Sequence, residues 1–245
     1  MPRQKKTVLC PLGVVGVGGK WKFWIWYHLL DGTKRFGQLQ RLLPEASRQM
    51  LTIQLRELEQ LGALHREVYE QQPPKVEYSL TDPAHSVEPA LRQMYAWGKR
   101  SSAQIGIEYD EWLVRLGGRW TFWIWYLLLS GPKRFGDLQR LLPQASRQML
   151  TMQLHELEQM GVLYRRATAP GSPKAEYTLT TLGKRSELVL RQLYAWGRWY
   201  CEQVGIAYDW PVNEEAEERA RPTQARSMWL DRRPQEPSGQ AAESA

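Results

Sequence analysis

The stretch SRQMLTIQLRELEQLGAL, from Ser47 to Leu64, contains the start, the body and the end of one amphipathic helix. Ser47 is of the residue type that caps helix N-termini, because its hydroxyl oxygen accepts a hydrogen bond from a free backbone N–H. Gly62 is of the type that most often follows a helix, because it adopts a left-handed backbone without strain. The apolar positions in between keep helical spacing: Leu51, Leu55 and Leu58. The stretch therefore predicts a helix with one buried and one exposed face.

The neighbouring segments complete a small fold around this helix. A first helix is predicted from Trp21 to Leu30, where the sequence DGTK ends it, and a short second helix from Arg35 to Leu43, before Pro44. After Gly62, ALHREVYEQQPPKVEYSLT has two runs rich in β-forming residues around a Gln-Pro turn, which predicts a hairpin. A long amphipathic helix from Ala84 to Gln104 closes the unit. Helix, helix-turn-helix, two-stranded wing and closing helix together predict a winged helix.

The whole unit occurs twice. Residues 18–110 align with residues 117–209 at a constant offset of 99 positions, and about 56 of the 93 aligned positions are identical. A period of this length indicates a duplicated domain rather than a solenoid repeat. The predicted fold class is therefore mainly α with small β wings (α+β), built from two tandem winged helix-turn-helix domains. The predicted segments are an N-terminal arm over residues 1–17, domains over residues 18–108 and 109–209, and a disordered tail over residues 210–245.

Four motifs of each copy resemble one known family. In the first copy they read GGKW, KRF, LTIQLRELEQLG and PKVEYSLT, and the second copy repeats them with few changes. Together they resemble the HxlR-type regulators, bacterial winged helix-turn-helix transcription factors, along nearly all of each copy. The resemblance implies a regulator of the cytoplasm, associated with the nucleoid, that places a recognition helix and a wing of each paired unit on DNA. Members of that family pair as homodimers through their terminal helices, so two units in one chain imply a single-chain pseudo-dimer, with further dimerisation left open.

The exposed side of the third helix is the predicted base-reading surface. With the leucines pointing inward, the helical period of about 3.6 residues places five residues on the other side: Arg48, Gln49, Thr52, Ile53 and Arg56. Arginine matches guanine and glutamine matches adenine in the major groove, while threonine offers a hydroxyl or a methyl group. The second copy presents Arg147, Gln148, Thr151, Met152 and His155. A polar helix face that only meets water is the alternative, and the wing and the family resemblance favour DNA reading.

Basic residues beside the second helix and on the wing are the predicted phosphate contacts, which position a protein on DNA without reading its sequence. With the helix-capping serines included, the candidate DNA-binding residues of the first copy are Lys34, Arg35, Ser47, Arg48, Gln49, Thr52, Arg56, Arg66 and Lys75. Those of the second copy are Lys133, Arg134, Ser146, Arg147, Gln148, Thr151, His155, Arg165 and Lys174.

The first helix of each copy is unusually aromatic. It reads FWIWYHLL from Phe23 to Leu30 and FWIWYLLL from Phe122 to Leu129. Apolar side chains fall on two faces of such a helix, so we expect it to be buried on two sides, one against its own core and one against the other copy. The alternative is a pocket for a small aromatic or cationic effector, lined by Trp24, Trp26, Tyr27, Trp123, Trp125 and Tyr126.

The overall charge favours an anionic partner, which for this fold is double-stranded DNA. With 33 Lys and Arg against 26 Asp and Glu, the chain carries +7 and has a pI near 9.4. The seven acidic and five basic residues after Asp209 leave about +9 on residues 1–209. Two cysteines suit a reducing cytosol. No apolar run approaches the length of about 20 residues that spans a bilayer, so we expect no membrane partner.

No catalytic or metal-binding pattern is present in the sequence. The four histidines lie in unrelated elements, and no His or Cys spacing resembles a ligand pair, so we predict no enzyme, no metal and no cofactor. Cys10 begins the sequence CPL, similar to the opening of redox-sensing members of the resembling family, but its spacing to the following glycines differs from theirs. We favour an inert thiol over a sensor. The rival function is a ligand-binding or protein-interaction module that has lost DNA reading.

Overall fold

The computed structural model describes residues 20–71, 75–116, 120–167 and 175–206, which belong to one compact unit. The first copy contains α1 (Lys20–Leu29), β1 (Lys34–Arg35), α2 (Phe36–Leu42), α3 (Arg48–Gln60), β2 (Leu64–Tyr69), β3 (Lys75–Leu80), α4 (Asp82–His85) and α5 (Glu88–Ile105). A further helix, α6 (Tyr109–Leu116), leads into the second copy. The second copy contains α7 (Thr121–Leu128), β4 (Lys133–Arg134), α8 (Phe135–Leu141), α9 (Arg147–Gln159), β5 (Leu163–Ala167), β6 (Ala175–Leu179), α10 (Thr181–Lys184) and α11 (Glu187–Gln203). The predicted arm and tail lie outside the described residues.

The third helix of each copy ends where its glycine predicts. Gly62 has a φ of 72°, in the left-handed region, and its N–H donates to the Glu59 carbonyl at 3.0 Å. The N–H of Ala63 donates to the Leu58 carbonyl at 2.9 Å, which completes the two-bond closure typical of a glycine-terminated helix. In the second copy Gly161, with a φ of 65°, ends α9 in the same way.

The predicted inner face of α3 forms the centre of the first core. Leu51, Leu55 and Leu58 are each at most 1% exposed, and α1 packs against α2, α3 and α5 around them. The wing continues from this core as an antiparallel sheet in the order β1-β3-β2, and the second copy has the order β4-β6-β5. The two-residue strands β1 and β4 were not predicted, because a run of two residues is too short to show a strand pattern.

The closing helix of each copy is broken, contrary to the single helix predicted over residues 84–104 and to its repeat 99 positions later. Two residues separate α4 from α5, and two separate α10 from α11. At each break one N–H, that of Val87 or of its counterpart Ser186, donates to the carbonyl three residues earlier at 3.4 Å. This turn is tighter than that of an α-helix. In the first copy Pro89 also lacks the N–H that would bond back across the break.

The aromatic helices meet the opposite copy through tryptophan rings. The ring centre of Trp26, on α1, lies 5.9 Å from that of Trp196, on α11, and Trp97, on α5, lies 5.2 Å from Trp125, on α7. At the offset of 99 residues, Trp125 is the counterpart of Trp26 and Trp196 is the counterpart of Trp97. The same contact is therefore made twice, once in each direction, as in an interface with twofold symmetry.

Other contacts between the copies are made in one direction. The Tyr200 hydroxyl donates to the Leu61 carbonyl at 2.9 Å, at the end of α3. Ser101, the counterpart of Tyr200, instead donates to the carbonyl of Trp97 in its own helix at 2.8 Å. The second copy thus holds the end of the first copy's third helix by a hydrogen bond that Ser101 does not make in return.

Replacing Gly98 by alanine tests the packing of the linker helix α6 on α5. An alanine Cβ at this position would lie 2.7 Å from ring carbons of both Tyr109 and Trp112, and both of these side chains are buried. We expect Gly98→Ala to lower the free energy of unfolding by about 1–3 kcal/mol, measured by urea denaturation. The matched control is Gly37→Ala, because a Cβ there meets no atom within 4 Å. Equal losses in the two variants would contradict the close packing of α6.

Candidate nucleic-acid interface

Each copy exposes one face of its third helix. In α3 the predicted residues Arg48, Gln49, Ile53 and Arg56 are exposed and Thr52 is half-buried, on the side opposite the core leucines. In α9 all five counterparts are exposed: Arg147, Gln148, Thr151, Met152 and His155. The sequence-predicted base-reading residues therefore lie together on one accessible helix face in each copy.

An arginine at the start of each third helix lies over a phenylalanine ring. The guanidinium carbon of Arg48 is 5.7 Å from the ring centre of Phe36, and that of Arg147 is 5.3 Å from the ring centre of Phe135. Each phenylalanine is the first residue of the short second helix. A guanidinium stacked on a ring is held in place without using its N–H donors. The phenylalanines are not among the candidate residues predicted from the sequence. Their presence in both copies, as the last residue of the KRF motif, is the feature that could have identified them.

The threonine of each reading surface bonds to its own helix. The Thr52 hydroxyl donates to the Arg48 carbonyl at 2.8 Å, and the Thr151 hydroxyl donates to the Arg147 carbonyl at 2.9 Å. The hydroxyl proton is used in these bonds, so the threonine has its methyl group and its oxygen lone pairs left for a base. While this bond is made the hydroxyl cannot donate to a base, so the geometry leaves the methyl group against thymine or a hydrogen bond accepted by the hydroxyl oxygen.

The arginine before each second helix pairs with a glutamate of the wing. Arg35 Nε lies 3.4 Å from Glu77 Oε1, and Arg134 Nε lies 3.3 Å from Glu176 Oε1. Both guanidinium groups are exposed, so these pairs are weak and leave the arginines able to reach a phosphate.

The preceding lysines are half-buried. Lys34 donates to the carbonyls of Asp31 and Gly32, each at 3.2 Å. Lys133 donates to the Ser130 hydroxyl at 3.0 Å, and burial lowers the pKa of the Lys133 ammonium. The two lysines are therefore less available to a phosphate than their sequence positions suggest.

The predicted wing cations have different surroundings. Arg66 on β2 and Arg165 on β5 are exposed. Lys75 on β3 lies 2.7 Å from Glu77 and 4.2 Å above the ring centre of Tyr69, so its charge is compensated within the wing. Arg166, exposed on β5 beside Arg165, was not among the sequence-predicted contacts. The sequence does contain a sign of it, because an acidic residue of the first wing, Glu67, is replaced by the basic Arg166 in the second.

The six aromatic residues considered for an effector pocket have different degrees of burial. Trp26, Trp123 and Trp125 are each at most 2% exposed, and Tyr126 is also buried. Trp24 and Tyr27 are half-buried. The buried four pack in the interior.

A small cavity does lie between the copies. It is lined on one side by Met94 and Trp97 and on the other by Phe122, Trp125 and Leu193, among other residues. Its volume of about 20 Å³ accommodates about one water molecule, which is too little for an aromatic ligand.

Two of the predicted site residues, Cys10 and Lys174, lie outside the described residues. The cysteine within them, Cys201, is buried. Among the residues that the structure describes, no three His, Cys, Asp or Glu side chains are grouped so that they could hold a metal ion. None of the described helices has the length and apolar character needed to cross a membrane.

Comparisons with known proteins match each copy separately. The family model for the HxlR-like helix-turn-helix matches residues 16–105 and again residues 115–205. The uncharacterised HTH-type transcriptional regulator YdeP of Bacillus subtilis (strain 168) is 52% identical over 89 residues, which are 36% of this chain and 70% of YdeP. YtcD of the same organism, also an uncharacterised HTH-type transcriptional regulator, is 45% identical over 98 residues, which are 40% of this chain and 78% of YtcD. Among solved structures, the redox regulator HypR in its oxidised form is 50% identical, with a TM-score of 0.34, over 36% of this chain and 92% of HypR.

Removing the N-terminal cap of the third helix tests how much that cap contributes to the free energy of unfolding. Ser47 Oγ accepts from the Met50 N–H at 3.1 Å, and Ser146 Oγ accepts from the Met149 N–H at 3.2 Å. We expect Ser47→Ala and Ser146→Ala each to lower the free energy of unfolding by about 1 kcal/mol in urea denaturation, because an N–H loses its partner. Ser47→Asn, which keeps an accepting oxygen, serves as the control. If Ser47→Ala unfolds at the same urea concentration as Ser47→Asn, the cap does not stabilise α3.

Proposed function

Because the chain belongs to the HxlR-like helix-turn-helix family, we propose that it is a transcriptional regulator that binds double-stranded DNA sequence-specifically with both winged-helix units. One observation carries this proposal: both third helices expose an arginine and a glutamine beside a threonine, which is half-buried in α3 and exposed in α9, and the arginine lies over a phenylalanine ring in each. The relatives YdeP and YtcD are described as HTH-type transcriptional regulators, which supports a regulatory rather than an enzymatic role.

In this proposal the third helix of each copy enters the major groove. Arg48, Gln49, Thr52 and Arg56, and their counterparts on α9, contact base edges, since these side chains carry the donors, acceptors and methyl groups that distinguish base pairs there. The exposed arginines beside the second helix and on the wing contact phosphates and supply affinity that depends on salt. The charge of about +9 on residues 1–209 supports binding to a polyanion.

We further propose that the two copies act as a single-chain pseudo-dimer. The reciprocal contacts of Trp26 with Trp196 and of Trp125 with Trp97 support a twofold relation between the copies. Two reading helices related in this way match two inverted half-sites whose centres are about 34–36 Å apart, one turn of DNA. Direct repeats would need the two copies to be related by a translation, which reciprocal contacts do not favour.

An effector site is a second proposal, supported by half-buried rings on α1 and α5. The ring centres of Tyr27 and Tyr95 are 4.8 Å apart, and the Trp24 Nε1 donates to Asp110 at 3.1 Å beside them. A flat aromatic or cationic molecule could stack against these rings from outside, whereas the interior rings are already packed. Titration with a panel of such compounds should change tryptophan fluorescence, and the change should disappear in Trp24→Phe. No fluorescence change across the panel would count against an effector site.

The direct test of DNA reading removes the stacked arginines. We expect Arg48→Ala with Arg147→Ala to abolish the preference for a selected operator over random DNA, while salt-dependent non-specific binding remains, because the phosphate contacts are untouched. Fluorescence anisotropy with labelled duplexes measures both affinities.

The matched control is Arg100→Ala, which removes an exposed arginine from the closing helix α5. It should keep the operator preference. A double variant at Arg48 and Arg147 that still prefers the operator as strongly as the unaltered chain would show that these helices do not read bases.

A further inference from the structure

The constant offset of 99 residues allows each side chain of the first copy to be compared with its counterpart in the second. We call the third helix and the wing of each copy its reading head. Most of the exposed face of the third helix is identical in the two copies. The largest chemical difference is Arg56 on α3 against His155 on α9, and both side chains are exposed. Two identical subunits of a homodimer could never differ at such a position, but two halves of one chain can.

Arginine and histidine can donate different numbers of hydrogen bonds to a base. The Arg56 guanidinium can donate two parallel hydrogen bonds to the O6 and N7 atoms of guanine. A neutral imidazole has a single N–H donor, and the His155 Nε2 already lies 2.9 Å from the Gln159 amide nitrogen. Arg56 therefore favours guanine at its position, whereas His155 cannot make the bidentate contact.

The two wings also differ in charge. The strands β2 and β3 carry two acidic and two basic residues, whereas β5 and β6 carry two arginines and one glutamate. Glu67 occupies the place that Arg166 has in the second wing, and each lies opposite a glutamate of the neighbouring strand, Glu77 or Glu176.

Two contacts within the first wing involve its charged side chains. The Tyr69 hydroxyl donates to Glu67 at 2.8 Å, a bond that raises the pKa of Tyr69 to about 12. Lys75 is bound by Glu77 at 2.7 Å. Among the residues of these strands, the first wing thus presents Arg66 as its exposed cation, whereas the second presents Arg165 on one face of β5 and Arg166 on the other.

We propose that the two heads are specialised, so that the chain binds an asymmetric operator in one orientation. The first copy reads a guanine with Arg56 in one half-site, and the second copy, with Arg166 in the place of Glu67, makes an additional phosphate contact in the other half-site. Both differences lie on surfaces that the proposed function assigns to DNA, and the inference rests on that function.

Selection of bound duplexes from random DNA with the full chain tests the base-reading difference. The unaltered chain should select two related half-sites, of which one has a guanine preferred by about tenfold at a position where the other shows no such preference. His155→Arg should make that preference appear in both half-sites, and Arg56→His should remove it from both. Selected sites that are already symmetric at this position in the unaltered chain would overturn the inference while leaving DNA reading intact.

The salt dependence of affinity tests the difference between the wings. Arg166→Ala should make the slope of log affinity against log salt shallower by about one, because one phosphate contact is lost. Glu67→Ala, the same substitution at the counterpart position, should leave the slope unchanged or steepen it slightly. Equal effects of the two substitutions would overturn the wing difference.

Energy transfer measures the orientation directly. A dye is attached at Gln71→Cys, beside the first wing, in a chain with Cys10→Ser and Cys201→Ser, the latter copying Ser102 at the same place in the first copy. A second dye is placed at either end of the selected operator. Unequal transfer from the two ends supports a single orientation, and equal transfer overturns it. If no specific sequence is selected at all, the proposed function itself is wrong, which is a different outcome from symmetric sites.

Discussion

The structure depends on tryptophan packing between the two copies. A helix with apolar side chains on two faces, such as α1, would leave one face in water if its domain stood alone. The contact of Trp26 with Trp196 covers this second face of α1, and the contact of Trp125 with Trp97 does the same for α7. Aromatic pairs of this kind stabilise by about 0.5–1.5 kcal/mol beyond the area that they bury. The relation between the two third helices is therefore determined by a packed core and not only by the segment that joins the copies.

Within this paired core the two halves have diverged. The Tyr200 hydroxyl binds the Leu61 carbonyl at the end of α3, and the Trp196 Nε1 donates to the Ser86 hydroxyl at 2.9 Å. The counterpart of Tyr200 is Ser101, which bonds within its own helix. The difference between the copies thus extends from the interior to exposed positions of the third helices and the wings. A chain that contains both halves can keep such differences, because they are not copied into a partner.

The sequence predicted the features that depend on neighbouring residues. The third helix follows from the cap at Ser47, the spacing of its leucines and the stop at Gly62, and the structure confirms all three. The duplication and the wing hairpin were also predicted from the sequence. The break between α4 and α5 was missed, because the apolar pattern continues across it and only backbone bonding shows the tighter turn.

Contacts between segments that are distant in the sequence could not be predicted from it. The pattern of α1 indicates two apolar faces, but the pairing of Trp26 with a ring 170 positions away depends on how the domains pack. The stacking of Arg48 on Phe36 and the neutralisation of Lys75 within its wing likewise depend on side chains brought together by the fold. The residues of the candidate interface were thus predictable by type and by helix face, whereas the charge that each presents to a partner was not.

In the proposed function, one chain holds its two third helices in a fixed twofold arrangement on DNA. The most direct test is the affinity of the chain for its selected operator after insertion of about five base pairs, half a turn, between the half-sites. We expect the affinity to fall by about tenfold or more, to the level of a duplex with a single half-site, because the packed core prevents one copy from rotating by half a turn relative to the other. Unchanged affinity after the insertion would contradict this arrangement, since it would mean that the two heads reach DNA independently.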